Sequence, residues 1–96
     1  MAIGDIARTT GFPRQVGNMW MLVGTIEADS TATAFALTST ANTLVSCHLH
    51  NESDNDTTVL VVLNSDDGTA GTAQGSIWVQ SSGTDDDTWR FCAFYV

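Results

Sequence analysis

Thr57-Thr58-Val59-Leu60-Val61-Val62-Leu63 is the most strand-like stretch of the chain. Five of its seven residues are β-branched and five apolar residues run consecutively. An apolar run without alternation offers apolar side chains to both faces of the pleat, so the stretch reads as a central strand covered on both sides. A run rich in acids and asparagines (residues 51–56) leads into it and a polar run (residues 64–67) leads out. The remaining segments read as layers arranged around this strand.

Immediately upstream, residues 43–50 alternate, with Val45, Cys47 and Leu49 on one face and Leu44, Ser46, His48 and His50 on the other. That pattern predicts a half-buried antiparallel strand. Residues 51–56 are short enough to join it to the central strand as a hairpin with a longer connection. Downstream, residues 64–75 are small and glycine-punctuated and long for a hairpin, so the chain is expected to cross to a second sheet there.

Further out, residues 18–28 predict a long first strand that sets Trp20, Leu22, Gly24 and Ile26 against Met19, Met21, Val23, Thr25 and Glu27. Gly24 within it signals a bulge or a close backbone approach. Residues 32–38 predict a short edge strand, and residues 76–80 another short strand. The final strand, residues 88–96, places Trp89, Phe91, Ala93 and Tyr95 on one face and Arg90, Cys92, Phe94 and Val96 on the other. Apart from Arg90 both faces are apolar, which implies that one of them meets a partner layer, such as another copy of the chain.

Six strands with turn signals at short spacing predict an all-β fold, an antiparallel β-sandwich or small barrel of Greek-key or jelly-roll type. Residues 1–18 contain Arg8, Arg14, the one proline and glycines at 4, 11 and 17. They read as an irregular N-terminal arm, either strapped onto its own domain or reaching to a partner, ahead of a single domain over residues 19–96. Ninety-six residues suffice for one domain.

The formal net charge of -8 comes from eleven acids against three arginines, with no lysine. Such a field repels phosphate backbones and argues against ordinary nucleic-acid binding. No apolar run approaches the ~20 residues that span a bilayer, and the N-terminus lacks the pattern of a secretory signal, so neither a membrane partner nor export is expected. Cys47 and Cys92 match no zinc spacing and read as two reduced thiols, with a bridge between them left open.

His48 and His50 project from one side of a strand, a pair geometry that metal sites use. A third ligand would have to come from Glu52, Asp54 or Asp56 in the adjacent loop, and the expectation is that His48, His50, Asp54 and Asp56 form no metal site and that the protein carries no cofactor. The acids cluster in turns, Glu52/Asp54/Asp56, Asp66/Asp67 and Asp85/Asp86/Asp87, and would offer calcium a site only if those turns converged. Otherwise they are solubilising loops. The serines, histidines and aspartates fit no nucleophile pattern, so no catalytic residue is assigned and an enzyme is not expected. Trp20, Trp78 and Trp89 read as core, or as a sugar-stacking platform should two of them share an exposed sheet face.

The glycine-punctuated arm with Arg8 and Arg14, the acidic Ser/Thr/Ala/Gly-rich β body, and the closing pattern Gly75-Ser76-Ile77-Trp78-Val79-Gln80 followed by Thr88-Trp89-Arg90-Phe91 together resemble the small virion structural proteins of tailed bacteriophages. The likeness is to the compact β-sandwich proteins that decorate or cement capsids. It implies a non-enzymatic protein of the virion, assembled in the host cytoplasm, that forms a homo-oligomer, a trimer above all, and clamps the major capsid protein or another virion protein. The residues expected at such interfaces are Arg8, Phe12, Arg14, Trp89, Phe91, Phe94 and Tyr95. Two other readings fit the composition, a small acidic phage-encoded inhibitor that mimics nucleic acid and a carbohydrate-binding or receptor-binding β-sandwich.

Overall fold

A computed structural model describes residues 3–53, 58–83 and 86–96. Among these residues eight strands form two antiparallel sheets: β1 (Ile6–Arg8), β2 (Arg14–Val16), β3 (Met19–Ala28), β4 (Thr33–Ala36), β5 (Leu44–Asn51), β6 (Val59–Leu63), β7 (Ser76–Ser81) and β8 (Asp87–Tyr95). The five-stranded sheet has the order β1-β3-β8-β5, with β2 also on β3. The three-stranded sheet has the order β4-β7-β6. The two sheets do not close into a barrel, so the sandwich is the architecture adopted.

Strand alternation builds the core. On β8, Trp89, Phe91, Ala93 and Tyr95 are buried, and Leu22, Ile26 and Ala28 join them from β3. Phe35, Ile77 and Val79 meet them from the opposing sheet. Register pairs Leu22 with Ala93, Gly24 with Phe91 and Ile26 with Trp89. Gly24 is a close approach, because a Cβ there would press against the Ala7 carbonyl and lie within 2.8 Å of the Phe91 ring. The missing side chain is what lets β1 and the Phe91 ring both close on β3. Among the described residues, buried Trp89 Nε1 has no hydrogen-bond partner.

Three expectations change. The apolar run that reads as the central strand lies at an edge: among the described residues β6 pairs with β7 alone, and Leu60 is 56% exposed. Its Val59, Val61 and Leu63 pack on the core, so one face supplies the burial that two were expected to share. Thr57 lies outside the described residues. Second, the crossing expected over residues 64–75 is not there: β6 and β7 are paired neighbours joined within one sheet, and the chain changes sheet instead at the β3–β4, β4–β5, β5–β6 and β7–β8 connections. Third, the N-terminal segment is not irregular, because β1 and β2 pair antiparallel with β3 as a strap on its own domain.

The alternation of β5 also slips. A bulge between Leu44 and Ser46 buries Leu44 at 3% exposure and turns Val45 out to 49%. One inserted residue moves every position before it to the other face. Cys47 and Leu49 remain on the core side as the sequence predicts.

Candidate functional site

The surface that carries the expected interface residues is best built from the five-stranded sheet. Because odd residues of β8 from Trp89 to Tyr95 and even residues of β3 from Leu22 to Ala28 fill the core, their alternates face outward. Register sets these alternates in rows. Arg14 stands beside Met21, which stands beside Phe94, and Ser46 continues the row on β5. The next row is Val23, Cys92 and His48, and the one after it Thr25, Arg90 and His50. Val16 pairs with Met19 at the far end, where Val96 hydrogen-bonds to Thr43 just beyond the ladder.

Met19, Met21, Val23, Cys92 and Phe94 are only half-buried by their own chain, and Val16 and Val96 are exposed. A shallow depression of about 220 Å³ opens among Val23, Cys92, His48, His50 and Arg90. Its floor is apolar and its rim carries the two histidines and the guanidinium. Arg90 Nε donates to Glu52 Oε2 at 3.2 Å, an exposed pair that contributes little stability.

The residues expected at an interface separate into groups. Trp89, Phe91 and Tyr95 are core residues, 2%, 0% and 7% exposed, so their side chains meet the second sheet of the same chain rather than a partner layer. Phe94 is on the outer face. Arg8 reaches across the sandwich, where its Nη2 donates to the Leu37 carbonyl at 2.8 Å and to the Ala36 carbonyl at 3.1 Å. It fastens β1 to the end of β4. Phe12 packs partly against the core, with the Arg14 guanidinium 5.8 Å from its ring centre. Arg14 is exposed, and its Nε donates to the Gly11 carbonyl.

His48 and His50 share the outward face as their spacing predicts. Asp54 and Asp56 lie outside the described residues, and among the described residues no group of three or more His, Cys, Asp or Glu is placed to hold a metal ion. Of the three acidic turns, the described residues of two come to one end of the sandwich and the third stands at the other. Asp66 and Asp67 follow β6 at the end where β5 begins, while Glu52, Asp86 and Asp87 stand at the opposite end, beside Glu27. Asp85 is outside the described residues.

At that second end two carboxyls are buried. Asp87 accepts from Asn51 Nδ2 at 3.0 Å. Glu27, 3% exposed, accepts from Thr88 Oγ1 at 2.6 Å. Burial pushes the Glu27 carboxyl above the ordinary range, the Thr88 hydroxyl opposes that shift, and the Asp86 carboxylate beside it reinforces it.

Cys47 and Cys92 occupy adjacent strands but opposite faces: Cys47 pairs with Ala93 on the core side, and Cys92 with Val23 outside. Both are free thiols, and this placement closes the bridge that spacing left open. Burial, aided by the nearby Cys92, raises the Cys47 thiol to about 12.

The tryptophans do not form an exposed pair. Trp20 is 42% exposed at the end of β3, Trp89 is buried, and Trp78 is half-covered by the turn at Gly68, where a Cβ would sit 3.4 Å from the indole. What sequence reading missed is the hub of residues 64–75. Asn64 adopts a positive φ of 54°, and its carbonyl accepts from Gly71 N and Ala73 N. The signal available was the Asn itself after a strand, a residue that tolerates that conformation.

The chain matches no family model, no curated protein and no solved structure.

Proposed function

We propose that this protein is a non-enzymatic structural component of a bacteriophage virion that binds and stabilises the capsid lattice as a homo-oligomer. The observation that supports the reading most directly is apolar surface left uncovered on both outer faces of the sandwich. On the five-stranded sheet it is Met21, Phe94 and Val96, and on the three-stranded sheet it is Leu60 of the edge strand. A protein that contacts its own copies and a lattice at once needs two such surfaces, and each contact can be weak because several act together. Binding only to the assembled shell would stabilise the shell.

In this reading the docking chemistry resides on sheet faces and a sheet edge more than on the first residues of the chain. Arg8 is engaged within its own domain. Arg14 remains available at the rim. Among the described residues β6 pairs with β7 on one side, and its other side is a sheet edge of the kind to which a partner strand adds.

Co-sedimentation tests the proposal directly. Purified protein is mixed with capsids of the phage that encodes it, assembled without it, and the saturation ratio and the shell's thermal disruption temperature are measured. Saturable binding that raises the disruption temperature supports the proposal. Protein that stays in the supernatant at all concentrations rejects it.

A further inference from the structure

The outer face of the five-stranded sheet is apolar at its centre. Met19, Met21, Val23, Cys92 and Phe94 lie there, only half-buried by their own chain, and exposed Val16 and Val96 extend the apolar surface at one end. Although the chain has eleven acids, among the described residues none stands on this face from the Val16–Met19 pair to the row of Thr25, Arg90 and His50. Arg90 is paired with Glu52 at the margin, and Arg14 stands at the rim.

Charge and size together select the occupant. Two chains of net charge -8 repel, so they approach closely only through surface that carries no carboxylates. A basic partner gains nothing from this face, because the described carboxylates stand in turns and at strand ends. The seven residues of β3 from Met19 to Thr25, at ~3.3 Å each, and four strands at ~4.8 Å spacing make a face of roughly 20 Å by 19 Å. Two such faces, with the relief of their side chains, bury on the order of 1,000 Å² together, the lower end for a specific contact. The outer face of the three-stranded sheet is narrower and is partly occupied by the turn at Gly68, which lies against Trp78. The large face is therefore better matched in extent by its own copy.

The geometry points to a dimer in which two copies pack these faces together across a two-fold axis beside the Val23–Cys92 row. The inference rests on the homo-oligomer reading above and specifies its contact. Because the same patch serves both copies, the contact is isologous and closes at two chains, which leaves the three-stranded sheet and the β6 edge of each copy facing outward for the lattice. Apolar burial drives the pairing, and the charge of the two chains opposes it. Salt screens that repulsion and strengthens the dimer.

Light scattering on the full chain, across protein concentration and in low and high salt, provides the test. The expected result is a mass that rises with concentration and levels off at two chains, with a dissociation concentration that falls as salt is raised. Met21→Glu and Phe94→Glu should each raise the dissociation concentration at least about tenfold, since the two-fold axis brings two carboxylates into one apolar contact. Leu60→Glu, on the other sheet, should leave it unchanged, with circular dichroism confirming the fold of all three. The unaltered chain gives an independent readout, because iodoacetamide labelling of Cys92 should slow at concentrations where the dimer forms. A plateau at three or more chains, a dimer that survives both glutamates, or Cys92 labelled at one rate throughout overturns this contact while the homo-oligomer reading stands. A chain that is monomeric at every concentration and still co-sediments with capsids overturns self-association and leaves lattice binding intact.

Discussion

The side chain of Asn64 pairs with both backbone polar groups of Leu44: its Oδ1 accepts from Leu44 N at 2.9 Å and its Nδ2 donates to Leu44 O at 3.0 Å. The carboxamide thereby does for the first residue of β5 what a neighbouring strand would do, and it does so from the end of β6 in the other sheet. Asn64 Oδ1 also accepts from Gly75 N at 3.2 Å, so one side chain ties β5, β6 and the start of β7 together.

Asn64→Ala should therefore destabilise the fold by about 2–4 kcal/mol, since three partners lose their bonds at ~1 kcal/mol each and alanine is disfavoured at a positive φ. Asn64→Gly loses the same bonds but accepts the backbone conformation, so its cost should be smaller by about 1 kcal/mol. Urea unfolding measures both. An alanine variant within about 0.5 kcal/mol of wild type would show that water replaces the carboxamide without loss.

Gly24→Ala should cost about 1–3 kcal/mol by overpacking, because its methyl group has neither the Ala7 carbonyl nor the Phe91 ring free to withdraw. The damage should fall on β1 first, since among the described residues that strand pairs with β3 alone. Hydrogen exchange at Ala7 and Thr9 faster than in wild type, with β8 amides unchanged, is the expected signature. Uniform protection across β1 and β8 in the alanine variant would contradict it.

Legibility followed burial. Where one face of a strand is buried and the other is not, period-two alternation is written into the residue types, and residues 88–96 divide between the two faces as the sequence sets them, whereas in residues 18–28 Trp20 of the core-side set is exposed and Glu27 of the outer set is buried. Val59 to Leu63 misled because an apolar run reports what could be covered, and here the outer face of an edge strand keeps Leu60 in solvent. The bulge at Val45 has no residue-level mark, since valine is as strand-prone inserted as paired. Asn64 was legible as a turn residue, but its bonds reach 20 positions back to Leu44, which no local pattern records. For the surface, composition located the aromatic closing strand, and only the register showed that Phe94 lies outward while Trp89, Phe91 and Tyr95 do not.

The Cys47 thiol, raised to about 12 by burial, should resist alkylation in the native protein. Against an unperturbed thiol near the model-peptide range, its thiolate fraction at pH 8 is lower by about three orders of magnitude. Iodoacetamide treatment followed by peptide mass spectrometry should find Cys47 unmodified under native conditions and fully modified in guanidinium. Rapid native labelling at Cys47 would mean that β5 opens readily from β8.

Glu27 sets the sign of a pH effect. Its folded-state carboxyl titrates above the unfolded value, because burial and the Asp86 carboxylate outweigh the Thr88 hydroxyl. Across the window from the ordinary value of 4.5 up to the raised one, the native state holds more protons than the unfolded state. Stability from this group is therefore fully present below about pH 4.5 and is lost as pH rises through the folded value, with no further change beyond it. Glu27→Gln keeps an acceptor for Thr88 and supplies an amide that can donate to Asp86, while removing the titration. The variant should match or exceed wild-type stability at pH 7, and its advantage should shrink as pH falls into the acid range. Denaturant unfolding of both proteins across that range isolates the group, since their other titrating residues are shared. A wild type that instead gains on the glutamine variant as pH rises would show that Glu27 is stabilised as a carboxylate by a partner stronger than the Thr88 hydroxyl.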